Sequence, residues 1–222
     1  MAEHQALRLL ACIVIGYFIG CISPSFLVGK RRGYDVRETG SKNAGASNTI
    51  IMAGPAAGVL VALLDIFKAT LAWKLAEALF PMLPVAGMLS GAACVLGHMF
   101  PVFLGFRGGK GLACLGGLAL ACSPKTLLIM VLIAAAIALL SNYICIVTVS
   151  MSLIFPLYFG LTTGFWLGAL IIALPAPLIF YKHLVNFRRI AAGKEVRLSY
   201  LWKKDKELDR TGNVAADDDG CC

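Results

Sequence analysis

The sequence predicts an all-α integral membrane protein: a bundle of about seven transmembrane helices, with the N-terminus outside and the C-terminus cytoplasmic. Three observations predict it. The 222 residues are 59% hydrophobic and only 14% charged, against roughly 25% charged for soluble domains. Seven apolar stretches follow one another, most near the ~20 residues that a bilayer crossing requires. The basic residues gather in alternate connections, the pattern that sets membrane orientation.

The stretches run near 7–29, 54–79, 84–104, 110–122, 124–141, 142–161 and 164–183. The first is too long for a signal-peptide core and shows no cleavage site, so it reads as a retained helix. The fourth is short and glycine-rich. It reads as a broken or half-depth helix, a form tolerated where protein or a wet cavity covers it. Residues 1–202 are expected to form a single transmembrane domain, and 203–222 a polar, disordered cytoplasmic tail acidic near its tip (Asp217, Asp218 and Asp219).

Most of the chain's 20 basic residues fall in three places. Lys30, Arg31, Arg32, Arg37 and Lys42 follow the first stretch. Arg107 and Lys110 follow the third. Lys182, Arg188, Arg189, Lys194, Arg197, Lys203, Lys204, Lys206 and Arg210 follow the last. With seven spans these segments share one side, and the positive-inside rule makes it cytoplasmic. The net charge of +8 suits anionic headgroups or substrates; no nucleic-acid motif accompanies it. Of the eight cysteines, most sit in apolar runs without a C-x-x-C pair, so they read as small apolar fillers.

Three polar clusters lie in the basic segments. Gly40-Ser41-Lys42-Asn43-Ala44-Gly45-Ala46-Ser47-Asn48 can turn backbone N–H groups and hydroxyls toward one anion. The same residues are also ordinary turn formers. Gly97-His98-Met99-Phe100-Pro101 runs on to Arg107-Gly108-Gly109-Lys110-Gly111. Glycines flanking a lysine let backbone and ammonium approach a phosphate together, although the P-loop spacing is absent. His98 reads equally as a packed interfacial histidine. His183 and Asn186, three residues apart, share one helix face and can grip a hydroxyl or accept a proton; Arg188, Gly193 and Glu195 follow them. Asp65 and Lys68 inside the second stretch read first as a mutual ion pair, since an unpaired intramembrane charge is costly. Lining a cavity is the sharper reading.

Together the clusters resemble the signature blocks of the PlsY family, the membrane acyl-phosphate:glycerol-3-phosphate acyltransferases. Gly40–Asn48 resembles G-S-G-N-x-G-A-T-N. Gly97–Gly111 matches G-H-x-F-P-x-F-x-x-F-[KR]-G-G-K-G at every fixed position. His183–Glu195 resembles H-x-x-N-x-x-R-x-x-x-G-x-E, with the arginine doubled at Arg188-Arg189. The likeness spans residues 7–200. It implies transfer of an acyl group from acyl-phosphate to glycerol 3-phosphate, giving lysophosphatidic acid in a bacterial plasma membrane, with no cofactor or metal. It assigns Ser41, Lys110 and the amides of Gly108 and Gly109 to the donor phosphate. His183 and Asn186 then orient the glycerol end, with Glu195 buttressing them. Asn43 and Asn48 shape the first loop, and Asn43, Gly45, Ser47, Asn48, His98 and Thr148 make the substrate contacts. The chain departs from the pattern at Lys42, where the family has glycine, and at Ile51, where many members carry arginine. Cys145 and Thr148 stand where the family tends to have serines. A monomer fits these expectations. The competing readings are a small transporter or flippase for a phosphorylated solute, and a divergent member with an altered acceptor. The one-sided placement of the clusters suits an enzyme better than alternating access.

Overall fold

Inside a bilayer each backbone polar group must find its partner within its own segment, so long apolar runs fold as helices. The computed structural model describes residues 2–201. Its helices are α1 (Ala2–Gly20), α2 (Pro24–Arg31), α3 (Ala46–Ala53), α4 (Pro55–Leu79), α5 (Ala86–Met99), α6 (Leu112–Cys122), α7 (Pro124–Ser141), α8 (Ile144–Thr163), α9 (Trp166–Ala173) and α10 (Ala176–Ala191). Short 3₁₀ turns lie at Val102–Leu104 and Leu198–Leu201. The expected tail at 203–222 lies outside the described residues.

Among the described residues, six segments are long and apolar enough to cross a membrane: His4–Arg31, Pro55–Leu79, Ala86–Leu104, Pro124–Ser141, Ile144–Thr163 and Trp166–Ala191. The expected fourth stretch is the short apolar helix Leu112–Cys122, too short to cross a ~30 Å hydrocarbon layer upright. The outward faces carry large apolar side chains, among them Leu128, Leu139 and Leu140 of α7, as lipid-facing helices do. This is a multi-pass membrane protein.

Two stretches expected as single helices are broken. The first ends at Gly20 and restarts at Pro24, because the Ser23 side chain caps the new helix by accepting from the Phe26 amide (3.3 Å) and proline suits a first helical position. The last is divided at Leu174–Pro175, where proline has no N–H to continue the ladder. The first basic segment also holds a helix the sequence did not announce, α3, which ends at Gly54 (φ 87°).

Small residues let the helices meet. Cβ atoms at Gly16 and Gly20 of α1 would collide with the Ser90 and Cys94 carbonyls of α5, and one at Gly97 would strike the Tyr17 carbonyl. This is the small-residue packing by which helices associate without a hydrophobic drive between them. Trp73 of α4, 2% exposed, fills the space beside Gly87 and Gly91. Met99, Leu118, Phe155, Ile172 and Ile179 complete the buried centre.

Candidate active site

The three polar clusters converge at one end of the bundle. The first is a folded loop rather than an open one. The Asp35 carboxylate receives the Arg37 guanidinium at 2.6–3.1 Å, which holds Asp35 below the usual carboxylate range. Arg37 also donates to the Leu104 carbonyl (2.9 Å), and Arg107 returns a bond to the Arg37 carbonyl (2.8 Å). These contacts fasten the first cluster to the second.

Asn48 is fully buried. Its Oδ1 accepts from the Ser41 amide (2.9 Å), and its Nδ2 donates to the Val36 and Thr39 carbonyls (both 3.0 Å). This corrects the expectation of a substrate contact: with its polar atoms committed, Asn48 acts as the staple of the loop. Ser25 and Thr49 hydroxyls bond beneath it at 2.9 Å. Lys42 adopts φ 53°, so the lysine that replaces a glycine does occupy a left-handed position.

A second correction concerns Gly108 and Gly109. Their amides donate to the Met99 (3.2 Å) and His98 (3.0 Å) carbonyls, so they are not free for a phosphate. The glycines matter for want of a side chain: a Cβ on Gly108 would clash with the His98 carbonyl, and one on Gly109 with the His98 ring. The tight return that results delivers Lys110 to the site.

The Lys110 ammonium meets Asn186 Oδ1 (2.6 Å), and Asn186 Nδ2 donates to Glu195 Oε1 (2.6 Å). This chain joins the second and third clusters. Burial pulls Lys110 below an ordinary lysine; the Glu195 carboxylate opposes that and Arg189 reinforces it. His183, 1% exposed, points Nδ1 at the Ile179 carbonyl (2.7 Å). A carbonyl only accepts, so Nδ1 carries the proton and Nε2 is left as an acceptor.

These groups line a cavity of about 620 Å³. Ser41, Asn43, Gly45, Ser47, His98, Lys110, Thr148, His183, Asn186 and Glu195 form its polar end. The Thr148 hydroxyl donates to the Ile144 carbonyl (3.0 Å), leaving its oxygen as an acceptor. Away from this end the lining turns apolar along Leu115, Leu127, Met130, Met151 and Phe155. Asn48, Gly108 and Gly109 are not on the wall. The cavity is amphipathic, polar at its mouth and greasy behind.

Two features went unread in the sequence. Lys182, counted only as topology, donates to the carbonyls of Met99 (2.8 Å), Gly108 and Gly109 (both 3.1 Å). It gathers the carbonyls of the Lys110 loop; its only signal was adjacency to His183. Asp65 and Lys68 pair at 2.7 Å as expected, but Lys68 also reaches His98 Nδ1 (3.0 Å) and the Ile22 carbonyl (2.6 Å). Asp65 lies on the cavity wall. Asp65, His98 and Cys114 place ligand-type atoms within 4.8 Å of one another, yet the Lys68 ammonium already supplies a cation there.

Comparison with known proteins follows the same lines. A family profile described as glycerol-3-phosphate acyltransferase matches residues 10–193. A glycerol-3-phosphate acyltransferase of Geobacillus kaustophilus is 36% identical over 196 residues, covering 86% of this chain and 97% of that protein. One from Desulfotalea psychrophila is 37% identical over 194 residues, covering 86% and 96%. Two crystal forms of the integral membrane glycerol 3-phosphate acyltransferase PlsY (YgiH) are similar in structure at 32% identity. The glycerol 3-phosphate form has a TM-score of 0.76 and covers 87% of this chain and 96% of that one. The lysophosphatidic acid form has a TM-score of 0.74 and covers 85% and 94%.

Proposed function

The chain belongs to the glycerol-3-phosphate acyltransferase (PlsY) family, and from that membership we propose that it transfers a fatty acyl group from acyl-phosphate to the 1-hydroxyl of glycerol 3-phosphate. The products are lysophosphatidic acid and inorganic phosphate. The observation that carries this reading is the Lys110–Asn186–Glu195 chain at the polar end of an otherwise apolar cavity. Two anionic heads meet a half-buried cation there, while an acyl chain lies along the α7–α8 lining.

Acyl-phosphate is already activated, so the site need only hold two anions in line and neutralise the charge that develops. The glycerol hydroxyl oxygen attacks the acyl carbonyl carbon. The bond from that carbon to the phosphate oxygen breaks, and phosphate departs with the electron pair and the hydroxyl proton. Lys110 and the Ser41 hydroxyl take the donor phosphate, together with the N-terminus of α3, where Gly45, Ala46 and Ser47 reach the cavity. Asn43 borders that loop. His183 Nε2 accepts from the attacking hydroxyl, and Asn186, held by Glu195, fixes the acceptor's orientation. No protein nucleophile enters the path.

In this reading the half-depth α6, together with the glycine-rich return before it, counts as the seventh passage that brings the three basic segments to one side. The basic end then faces the cytoplasm of a bacterial plasma membrane, with the N-terminus outside, as the positive-inside rule directs.

Membranes carrying the protein, given acyl-phosphate and radiolabelled glycerol 3-phosphate, will form labelled lysophosphatidic acid. Acyl-CoA in place of acyl-phosphate will give none. Product formed only from acyl-CoA would sink the donor assignment; no product from either would sink the activity.

A further inference from the structure

Two histidines reach the cavity from different helices, His98 from α5 and His183 from α10. Their Nδ1 environments differ in kind. His183 Nδ1 faces a carbonyl, which can only accept (2.7 Å to Ile179). His98 Nδ1 faces the Lys68 ammonium at 3.0 Å, which can only donate. A proton on His98 Nδ1 would set two donors against each other in a buried place. The Lys68 orientation is fixed by its ion pair with Asp65 Oδ1 (2.7 Å) and its hydrogen bond to the Ile22 carbonyl (2.6 Å). With His98 5% exposed at its side chain and Asp65 2%, water has little room to relieve such a clash. Asp65 Oδ1 also lies near this nitrogen, but at 3.4 Å it is farther than the Lys68 ammonium and longer than a charge-assisted hydrogen bond, and the Cys114 thiol is a weak partner for either role.

The geometry points to Lys68, held by Asp65, as a positioning residue that places the His98 proton on Nε2. That edge of the ring fills the place a Cβ on Gly109 would take, with the Ala44 carbonyl near the same point. There the first glycine-rich loop meets the second, Gly45 abutting Gly109. His98 thus presents an N–H donor to an anionic oxygen at the loop junction, while His183 presents an acceptor to a hydroxyl. One ring stabilises a phosphate ester, and the other receives the alcohol. This deepens the proposed acyl transfer and rests on it for the identity of the anion. The buried ion pair in α4 is then not only structural: it selects a tautomer.

The test is ¹⁵N NMR of histidine-labelled protein in nanodiscs at neutral pH. The three histidines, His4, His98 and His183, are assigned with His4→Gln and His183→Gln variants. His98 will carry its proton on Nε2 with Nδ1 bare, and His183 the reverse. Inorganic phosphate or glycerol 3-phosphate will move the His98 Nε2 signal. In the Asp65→Asn/Lys68→Met protein His98 will lose its single tautomer. The KM for acyl-phosphate will rise about tenfold to a hundredfold, the worth of a charge-assisted hydrogen bond, and Lys68→Arg will recover much of it. A native His98 protonated on Nδ1 with Nε2 bare overturns the inference, as does an unchanged tautomer in the double variant. So does an Nε2 signal indifferent to both phosphate probes. The tautomer readout needs no turnover, so an inactive protein with His98 in the expected form would count against the acyl-transfer reading and leave the positioning role standing.

Discussion

Lys110 and Asn186, 76 residues apart in the chain, meet at 2.6 Å. That contact closes the site, because it ties the glycine-rich return after α5 to the polar face of α10. Glu195 then holds Asn186 from behind. Lys110→Ala removes a cation from a low-dielectric place where charge develops. A loss of about 10²–10³ in kcat is expected, as for other preorganised charge-stabilising groups. Asn186→Ala will cost a similar amount, and the double variant will cost much less than the product of the two, since the residues act as a unit. Strict additivity in acyl-transfer assays would show that they do not cooperate.

The half-buried Lys110 also predicts the alkaline limb of the pH profile. Burial lowers its pKa and the Glu195 carboxylate pulls it back up. The protonated form is the one that binds phosphate. Activity therefore falls as pH rises through the depressed pKa, earlier than for an ordinary lysine near 10.4. Glu195→Gln removes the supporting negative charge, so the limb will shift to lower pH. Lys110→Arg, always charged, will lose that limb whatever its residual rate. A profile of kcat/KM that keeps the same alkaline limb in Glu195→Gln argues that Glu195 does not sense Lys110.

The first loop separates two kinds of left-handed residue. Gly40 has φ 61°, and a Cβ there would collide with Asn48 Oδ1, the atom that holds the Ser41 amide. Gly40→Ala will dislodge the staple and reduce activity at least tenfold. Lys42 has φ 53° and already bears the cost of a side chain in that region, roughly 1 kcal/mol. Lys42→Gly relieves it, against a similar entropic loss from the unfolded chain, and will change thermal stability by less than about 1 kcal/mol. A Gly40→Ala protein with native activity would show that the Ser41 loop tolerates displacement.

What could be read from the chain alone divides along physical lines. The apolar stretches were legible because a bilayer demands uninterrupted helices, and 54–79 and 124–141 fall almost on α4 and α7. The breaks at Ser23-Pro24 and Leu174-Pro175 were written in the sequence as a cap and a proline, but hydropathy outweighed them. The glycine-lysine block was legible as a unit. The use of its amides was not, because hydrogen bonds from Gly108 and Gly109 to Met99 and His98 depend on how the chain folds back. Asn48 was named for the right loop and the wrong partner. Lys182 and the Lys68–His98 contact stayed hidden because their partners lie 30 to 83 residues away, and local pattern carries no trace of such pairings.

The last prediction concerns Ile51. It sits on α3 with 39% of its surface exposed and lines the cavity beside Ile50. Its α3 neighbours Ala46 and Ser47 border the same polar mouth. An arginine here can extend its guanidinium from a partly exposed position without burying the charge, and its fork suits a phosphate. The end of the cavity is already basic through Arg189, Lys194 and Arg197, so the added cation enters a favourable field for an anion. Ile51→Arg is expected to lower the KM for glycerol 3-phosphate by about threefold to tenfold, the range of a partly exposed charge-assisted hydrogen bond, with kcat little changed. Gain in binding without gain in turnover marks an interaction shared by ground and transition states. Steady-state kinetics across glycerol 3-phosphate concentration, at fixed acyl-phosphate, measure it. An unchanged KM would mean that the acceptor phosphate lies beyond the reach of α3.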